Sequence, residues 1–255
     1  MQYRLVMFAP FITALPLLCT SAGGGLCITE IMYDPASTEQ RGESEWIELA
    51  NLGSTTIDLE GWRFDDEDAS DWGPLSGQLK PGHIAIVFNG DATSVSEFLT
   101  AWTDDPNTEP AFLLLPVPWG SLANKPTADN EILQLIDADD NVACTVNYQR
   151  GGDWPDPRRR GESIHLVQFT EPVSFEANNW ALTKVGQPGA RIAKTTATFN
   201  KPDVGSPGFI PTSIVTKPPP PLTSTPAPKP AEAPKTKKSP PPPPPPPVED
   251  DDVPY

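Results

Sequence analysis

Apolar and polar residues alternate through Glu45-Trp46-Ile47-Glu48-Leu49-Ala50-Asn51, and an apolar run returns at Asp58-Leu59-Glu60-Gly61-Trp62. In an extended chain successive side chains point to opposite faces, so Ile47 and Leu49 share one face while Trp46 and Glu48 share the other. Gly61 breaks the second run where the chain must turn. Similar short runs between turn signals predict strands near Leu26–Tyr33, Glu45–Asn51, Thr56–Phe64, His83–Phe88, Phe112–Leu115, Glu131–Ile136, Val142–Tyr148, Ser163–Gln168 and Thr195–Phe199. Lys80-Pro81-Gly82-His83 is a turn in which proline sets φ and glycine permits a positive one. Asp137-Ala138-Asp139-Asp140-Asn141 joins two strands, with Asn141 suited to a left-handed position. One helix is expected: Ser94-Val95-Ser96-Glu97 has the form of a capping box, after which Phe98, Leu99 and Trp102 fall on one face. No repeat at a fixed period is present. Many short strands, Gly- and Pro-rich turns and one small helix predict an all-β chain folded as a two-sheet β-sandwich.

The two ends read differently from the middle. Residues 1–22 carry Arg4, an apolar run from Leu5 to Leu18 and then Thr20-Ser21-Ala22, the pattern of a secretory signal peptide. The run is shorter than the ~20 residues of a membrane span, and Pro10 and Pro16 interrupt it. Lipidation at Cys19 is the alternative, set back by Leu18 in a position where a small residue is expected. The folded segment is expected over 26–210. Beyond it, residues 211–255 form a low-complexity tail expected to be disordered, because it has almost no large apolar side chains to bury. Half of the 34 prolines fall in the last 39 residues, with an unbroken run from Pro240 to Pro247. Such a run adopts polyproline II, a rod of roughly 25 Å at about 3.1 Å per residue. Lys235, Lys237 and Lys238 precede it and Glu249–Asp252 follow it. The expected address is secreted, periplasmic or cell-surface, with no span left once the signal is removed.

Charge and cysteine usage narrow the function. Residues 23–216 hold 12 basic and 29 acidic side chains, a net of −17, which repels phosphate backbones and disfavours nucleic acid as a partner. Setting Cys19 aside leaves Cys27 and Cys144, an even pair in an exported protein. A bridge between them is expected; two independent buried thiols are the alternative.

Catalytic patterns are not evident. Glu45 and Glu48 point to opposite faces of one strand and cannot pair as a glycosidase site, so Glu48 is expected to accept hydrogen bonds from a neighbouring strand or loop. Asp137-x-Asp139-x-Asn141 begins like a calcium loop but lacks the sixth-position glycine and has Tyr148 at the twelfth, so turn chemistry explains it better. Asp65, Asp66, Glu67, Asp68 and Asp71 form the stronger calcium candidate of the two acidic clusters, although a solvated loop is the preferred reading. His83 and His165 are too few and too far apart for zinc. No metal site, catalytic residue or cofactor is therefore expected. The candidate ligand-binding residues are Trp72, Trp119, Arg158, Arg159 and Arg160: two tryptophans in polar or Pro-rich loops that could stack on sugar rings, and the chain's one basic run.

The ordered set Ile28-Thr29-Glu30-Ile31-Met32-Tyr33-Asp34-Pro35, Glu45–Asn51, Asp58–Trp62, Leu79-Lys80-Pro81-Gly82, the Asp137–Tyr148 hairpin, Trp154-Pro155, Gly161-Glu162-Ser163-Ile164 and Ser206-Pro207-Gly208 resembles the lamin-tail domain. Asn141 stands where that family usually has glycine, and Cys144 where it often has aspartate. The resemblance implies an immunoglobulin-like β-sandwich acting as a binding or structural module, with no chemistry of its own. The expected function is thus an exported, non-enzymatic interaction or structural module with a protein or cell-envelope polysaccharide as partner. The alternatives are a carbohydrate-binding module and an accessory domain of an extracellular hydrolase system.

Overall fold

The computed structural model describes residues 25–38, 42–66, 72–124, 132–158, 161–169, 176–212 and 214. The chain divides after Thr216. Residues 1–22 and the unit at 217–255, on which the signal-peptide and polyproline expectations fall, lie outside the described residues.

The elements run in chain order as β1 (Leu26–Met32), β2 (Trp46–Asn51), β3 (Ile57–Asp58), β4 (Arg63–Asp65), β5 (Gln78–Leu79), β6 (Ile84–Asn89), α1 (Val95–Trp102), β7 (Leu113–Val117), β8 (Leu133–Ile136), β9 (Val142–Val146), β10 (Ile164–Leu166), β11 (Trp180–Leu182), β12 (Arg191–Ile192) and β13 (Val204–Gly205). Six strands form the main sheet in the order β11-β10-β1-β2-β6-β7. Every pairing in it is antiparallel except β6–β7. That parallel pair needs a long crossover, and α1 lies within it. The smaller sheets are β4-β8-β9, β3-β5 and β12-β13.

Alternation along β2 explains the layering. Ile47 and Leu49 join Ile28, Ile31 and Val87 in a core shared with Phe64, Leu79, Leu135 and Val146 from the smaller sheets. This is the β-sandwich. Trp46 and Ala50 face the other way and join Met32, Ile86 and Phe88 in a second core. It is closed by Phe98, Ala101 and Trp102 of α1 and by Ala193 and Phe199 of the C-terminal segment. All residues of β2 and β6 are therefore buried, and the sandwich carries a third layer on its main sheet. Trp46 and Trp102 meet edge to face, with centroids 5.5 Å apart.

The expected strand at Thr56–Phe64 divides at Gly61, whose φ of 78° lets the chain leave β3 for β4 in the next sheet. The strand expected at Thr195–Phe199 is a turn instead. Thr196 N donates to Phe199 O at 3.0 Å, which swings Phe199 into the second core. The strands near it are β12 and β13, too short to show a period. The helix starts as expected, Ser94 Oγ accepting from Glu97 N at 3.2 Å. The Glu97 carboxylate does not close the box; it accepts from Thr198 Oγ1 at 3.3 Å. Ala101, rather than the half-buried Leu99, completes the inner face.

The bridge expected between Cys27 and Cys144 is not present. Both are buried in the sandwich core, and Ile28 N donates to Cys144 Sγ at 3.5 Å. They pack as small apolar residues on β1 and β9.

Gly205 admits β13 close to the indole pair: a Cβ there would lie 2.6 Å from the Trp46 ring and 3.3 Å from that of Trp102. Gly205→Ala should lower the unfolding free energy by roughly 1–3 kcal/mol through overpacking. The expected readout is a lower urea midpoint with an unchanged slope, and an unshifted midpoint would show that the contact yields freely.

Candidate functional site

The sequence-derived candidates do not form a surface. Trp72 and Trp119 are only 4% and 8% exposed, and they stack on one another with centroids 4.6 Å apart and planes 21° from parallel. Each indole covers the other's face, so neither offers a platform to a sugar ring. Trp119 Nε1 donates to Glu45 Oε2 at 3.4 Å, and Leu122 N donates to the same oxygen at 2.6 Å. Glu45 thereby fastens the loop after β7. Arg158 is exposed, adopts φ 48° and sits 3.1 Å from Asp156, which also pairs with Arg150 at 3.5 Å. Arg159 and Arg160 lie outside the described residues.

The acidic turn is accounted for by its own backbone. Asp137 Oδ1 accepts from Asp139 N at 2.9 Å and Asn141 N at 2.8 Å, which holds its carboxyl below the usual range. The left-handed residue is Asp140, with φ 65°, rather than Asn141; Arg63 reaches its carboxylate at 2.9 Å. In the other cluster Glu67, Asp68 and Asp71 lie outside the described residues, among which no group of three or more metal-ligating side chains converges.

The densest polar constellation was not singled out as a site by the sequence. Glu30 of β1 and Glu48 of β2 are cross-strand partners, both buried. A bulge between Ile28 and Glu30 lets Thr29 Oγ1 donate to Glu48 Oε1 at 2.7 Å. Glu48 Oε2 accepts from Gly208 N at 2.8 Å. Glu30 accepts from Ser206 N at 2.7 Å and Ser206 Oγ at 2.6 Å, from Thr183 Oγ1 at 3.2 Å, and from Ser163 Oγ. Thr183 Oγ1 also lies 2.9 Å from His165 Nδ1. A third buried acid completes the fastening, Asp203 Oδ1 accepting from Ala36 N at 2.6 Å and Ser37 N at 3.2 Å. Three carboxyls thus hold the strap at 203–208 over the main sheet.

Burial pushes the Glu30 carboxyl up, and it pushes that of Glu48 well up with Glu30 beside it adding to the effect. Burial also raises Asp203 and lowers His165. A serine, a threonine, a histidine and a carboxylate in sequence have the makings of a proton relay. Ser163 and Glu30 are sealed, however, and both carboxyl oxygens of Glu30 already meet donors of the fold. The arrangement grips backbone; it does not present a nucleophile. For Glu48 the expected partners from a strand and a loop are both there. The signal for Glu30 is a lone acid inside the apolar run Ile28–Met32, and the strap's signal is Ser206-Pro207-Gly208.

The lamin tail domain model matches residues 20–150. The chain belongs to the lamin tail domain family. That match covers Glu30, Glu45 and Glu48 but ends before Ser163, Thr183 and Ser206, so in this lamin tail domain the donors that meet Glu30 come from beyond the matched segment, while Trp119 and Leu122, which meet Glu45, lie within it. No curated protein matches the chain.

Two measurements test the assignments. Because the Glu48 carboxyl is raised above its ordinary 4.5, the folded state holds a proton that the unfolded chain releases. Its stabilising contribution is full below that value and is lost as pH rises through the folded pKa. Between about pH 5 and about pH 8 wild-type stability should therefore fall relative to Glu48→Gln, in which the amide can donate to Thr29 Oγ1 and accept from Gly208 N. Parallel urea titrations at the two pH values would contradict this. Trp72→Ala should lower stability by about 3–5 kcal/mol, as loss of a core aromatic does. A change below about 1 kcal/mol would return Trp72 to the surface.

Proposed function

We propose that this lamin tail domain protein is an exported, non-catalytic interaction or structural module acting at the cell surface or in the periplasm, with a protein or envelope polymer as partner. The observation that supports it best is the fate of the reactive side chains. Glu30, Glu45, Glu48 and Ser163 are buried and engaged in holding loops to the sheets. A fold whose acids serve as fasteners is suited to presenting a rigid surface, and domains of this kind act through sites grafted onto them. The leader pattern at 1–22 and the unbroken proline run at 240–247 fit a protein that leaves the cytoplasm and reaches across a gap. Among the described residues no helix is long and apolar enough to cross a membrane. The carbohydrate-binding alternative loses its stacking residues with the burial of Trp72 and Trp119.

The test joins capture to turnover. Immobilised full-length protein should retain a defined envelope component saturably while hydrolysing no ester, phosphoester, peptide or glycoside substrate. Turnover that co-purifies with the chain and disappears in a folded Glu30→Gln variant would overturn the reading.

A further inference from the structure

The β12-β13 ribbon has one edge turned towards α1. Ala193 N donates to Asp203 O at 2.7 Å, and Arg191 and Ile192 continue that register opposite Gly205 and Val204. In an antiparallel pair hydrogen-bonded and non-bonded positions alternate. Ile192 is therefore a non-bonded position, and its N–H and C=O point away from β13. Lys194, two residues on, faces the same way and donates its N–H to Ala101 O at 2.9 Å, at the end of α1. The strand edge thus begins to pair with the helix terminus and then diverges from it. A cavity of about 430 Å³ opens there between Ala101–Asp104 and Gly189–Ile192. Ile192, 49% exposed as a residue, borders it.

The Arg191–Asp104 ion pair, at 2.8 Å, lines both this cavity and a second of about 290 Å³ that continues past Asp105, Glu109 and Phe112. The groove's cations are already engaged. Arg191 holds Asp104, and Lys194 Nζ donates to the carbonyls of Thr103 at 2.6 Å and Asp104 at 3.0 Å. The Arg191 hydrogen bond and charge hold Asp104, and hydrogen bonds from Asn107 and Thr108 hold Asp105, below the usual carboxyl range, so both are ionised at neutral pH. Glu109 adds a third negative charge on a segment whose net is −17 over 23–216.

We propose that this groove is a strand-addition site for a basic, extended peptide segment of a protein partner. The guest pairs its backbone with Ile192 and places a lysine or arginine towards Asp105 and Glu109. Strand addition takes its affinity from main-chain hydrogen bonds and its specificity from pockets for alternate side chains, and the edge and the acidic lobe supply one each. A second copy of this chain is disfavoured as guest by like charge. The proposal rests on the interaction-module reading and names the partner's chemistry.

The probe is an octapeptide alternating valine and lysine, titrated by calorimetry into the full-length protein. Its comparators are the valine–glutamate counterpart and the same peptide N-methylated at alternate amides. The unmodified basic peptide should bind. The acidic one should not, and N-methylation should weaken binding by about tenfold or more, as loss of backbone pairing requires. Ile192→Pro should weaken it similarly with the near-ultraviolet spectrum unchanged, because it removes only the outward N–H. Glu109→Lys, at an exposed position, should do the same by charge. No binding by the basic peptide, equal binding after N-methylation, or guest-free dimerisation in light scattering would overturn the proposal. Those failures alongside intact capture of the envelope component refute the groove alone, whereas Glu30-dependent turnover refutes the reading beneath it.

Discussion

A carboxyl group removed from water must be neutralised or surrounded by donors, and the β1–β2 ladder sets two of them side by side. Neither Glu30 nor Glu48 could be buried on the sheet alone. Their oxygens are satisfied by Thr29 within the ladder and by Ser163, Thr183, Ser206 and Gly208 from the second half of the chain. The segment at 203–208 is thereby seated in one register, because a shift of a residue would leave a buried acid facing a carbonyl. Fully satisfied networks of this sort specify a unique arrangement more than they add stability.

The third layer follows from the same seating. With the strap in place, Gly205 lies against Trp46 and Trp102, and Phe199 closes on Phe98 and Trp102 edge to face. The helix belongs to the β6–β7 crossover, so the parallel edge of the main sheet, the helix and the strap bear on one aromatic cluster. Both faces of β2 are dry as a result, and its sequence nonetheless alternates because one inward face is aliphatic and the other mixes tryptophan with acid.

Legibility in the sequence tracked the length of the local signal. Strands of five or more residues, β1, β2, β6, β7 and β9, carry enough alternation to be placed, and Ser94 marks the helix start. The two-residue β12 and β13 have no period at all, and Thr195–Phe199 imitates one because Phe199 is apolar for the sake of the aromatic cluster. Trp72 and Trp119 mislead for a related reason: loop neighbours are polar, but the indoles reach past them to stack on each other. The Glu48 role was readable, since a buried acid demands donors. That Gly208 supplies one of them, and that Ser206 meets Glu30, depends on contacts between positions more than 150 residues apart.

The strap has a bearing on how the domain is delimited. The family pattern ends at residue 150, yet the Glu30 carboxyl and one oxygen of Glu48 are met by groups contributed after residue 160. A fragment cut at the end of the pattern would lack the later donors to Glu30 and Glu48, and on the Trp46 face of the sheet it would lack Ala193, Phe199 and Gly205. The recognisable motif and the set of residues that close its buried acids are therefore different objects in this chain, and the second reaches Gly208.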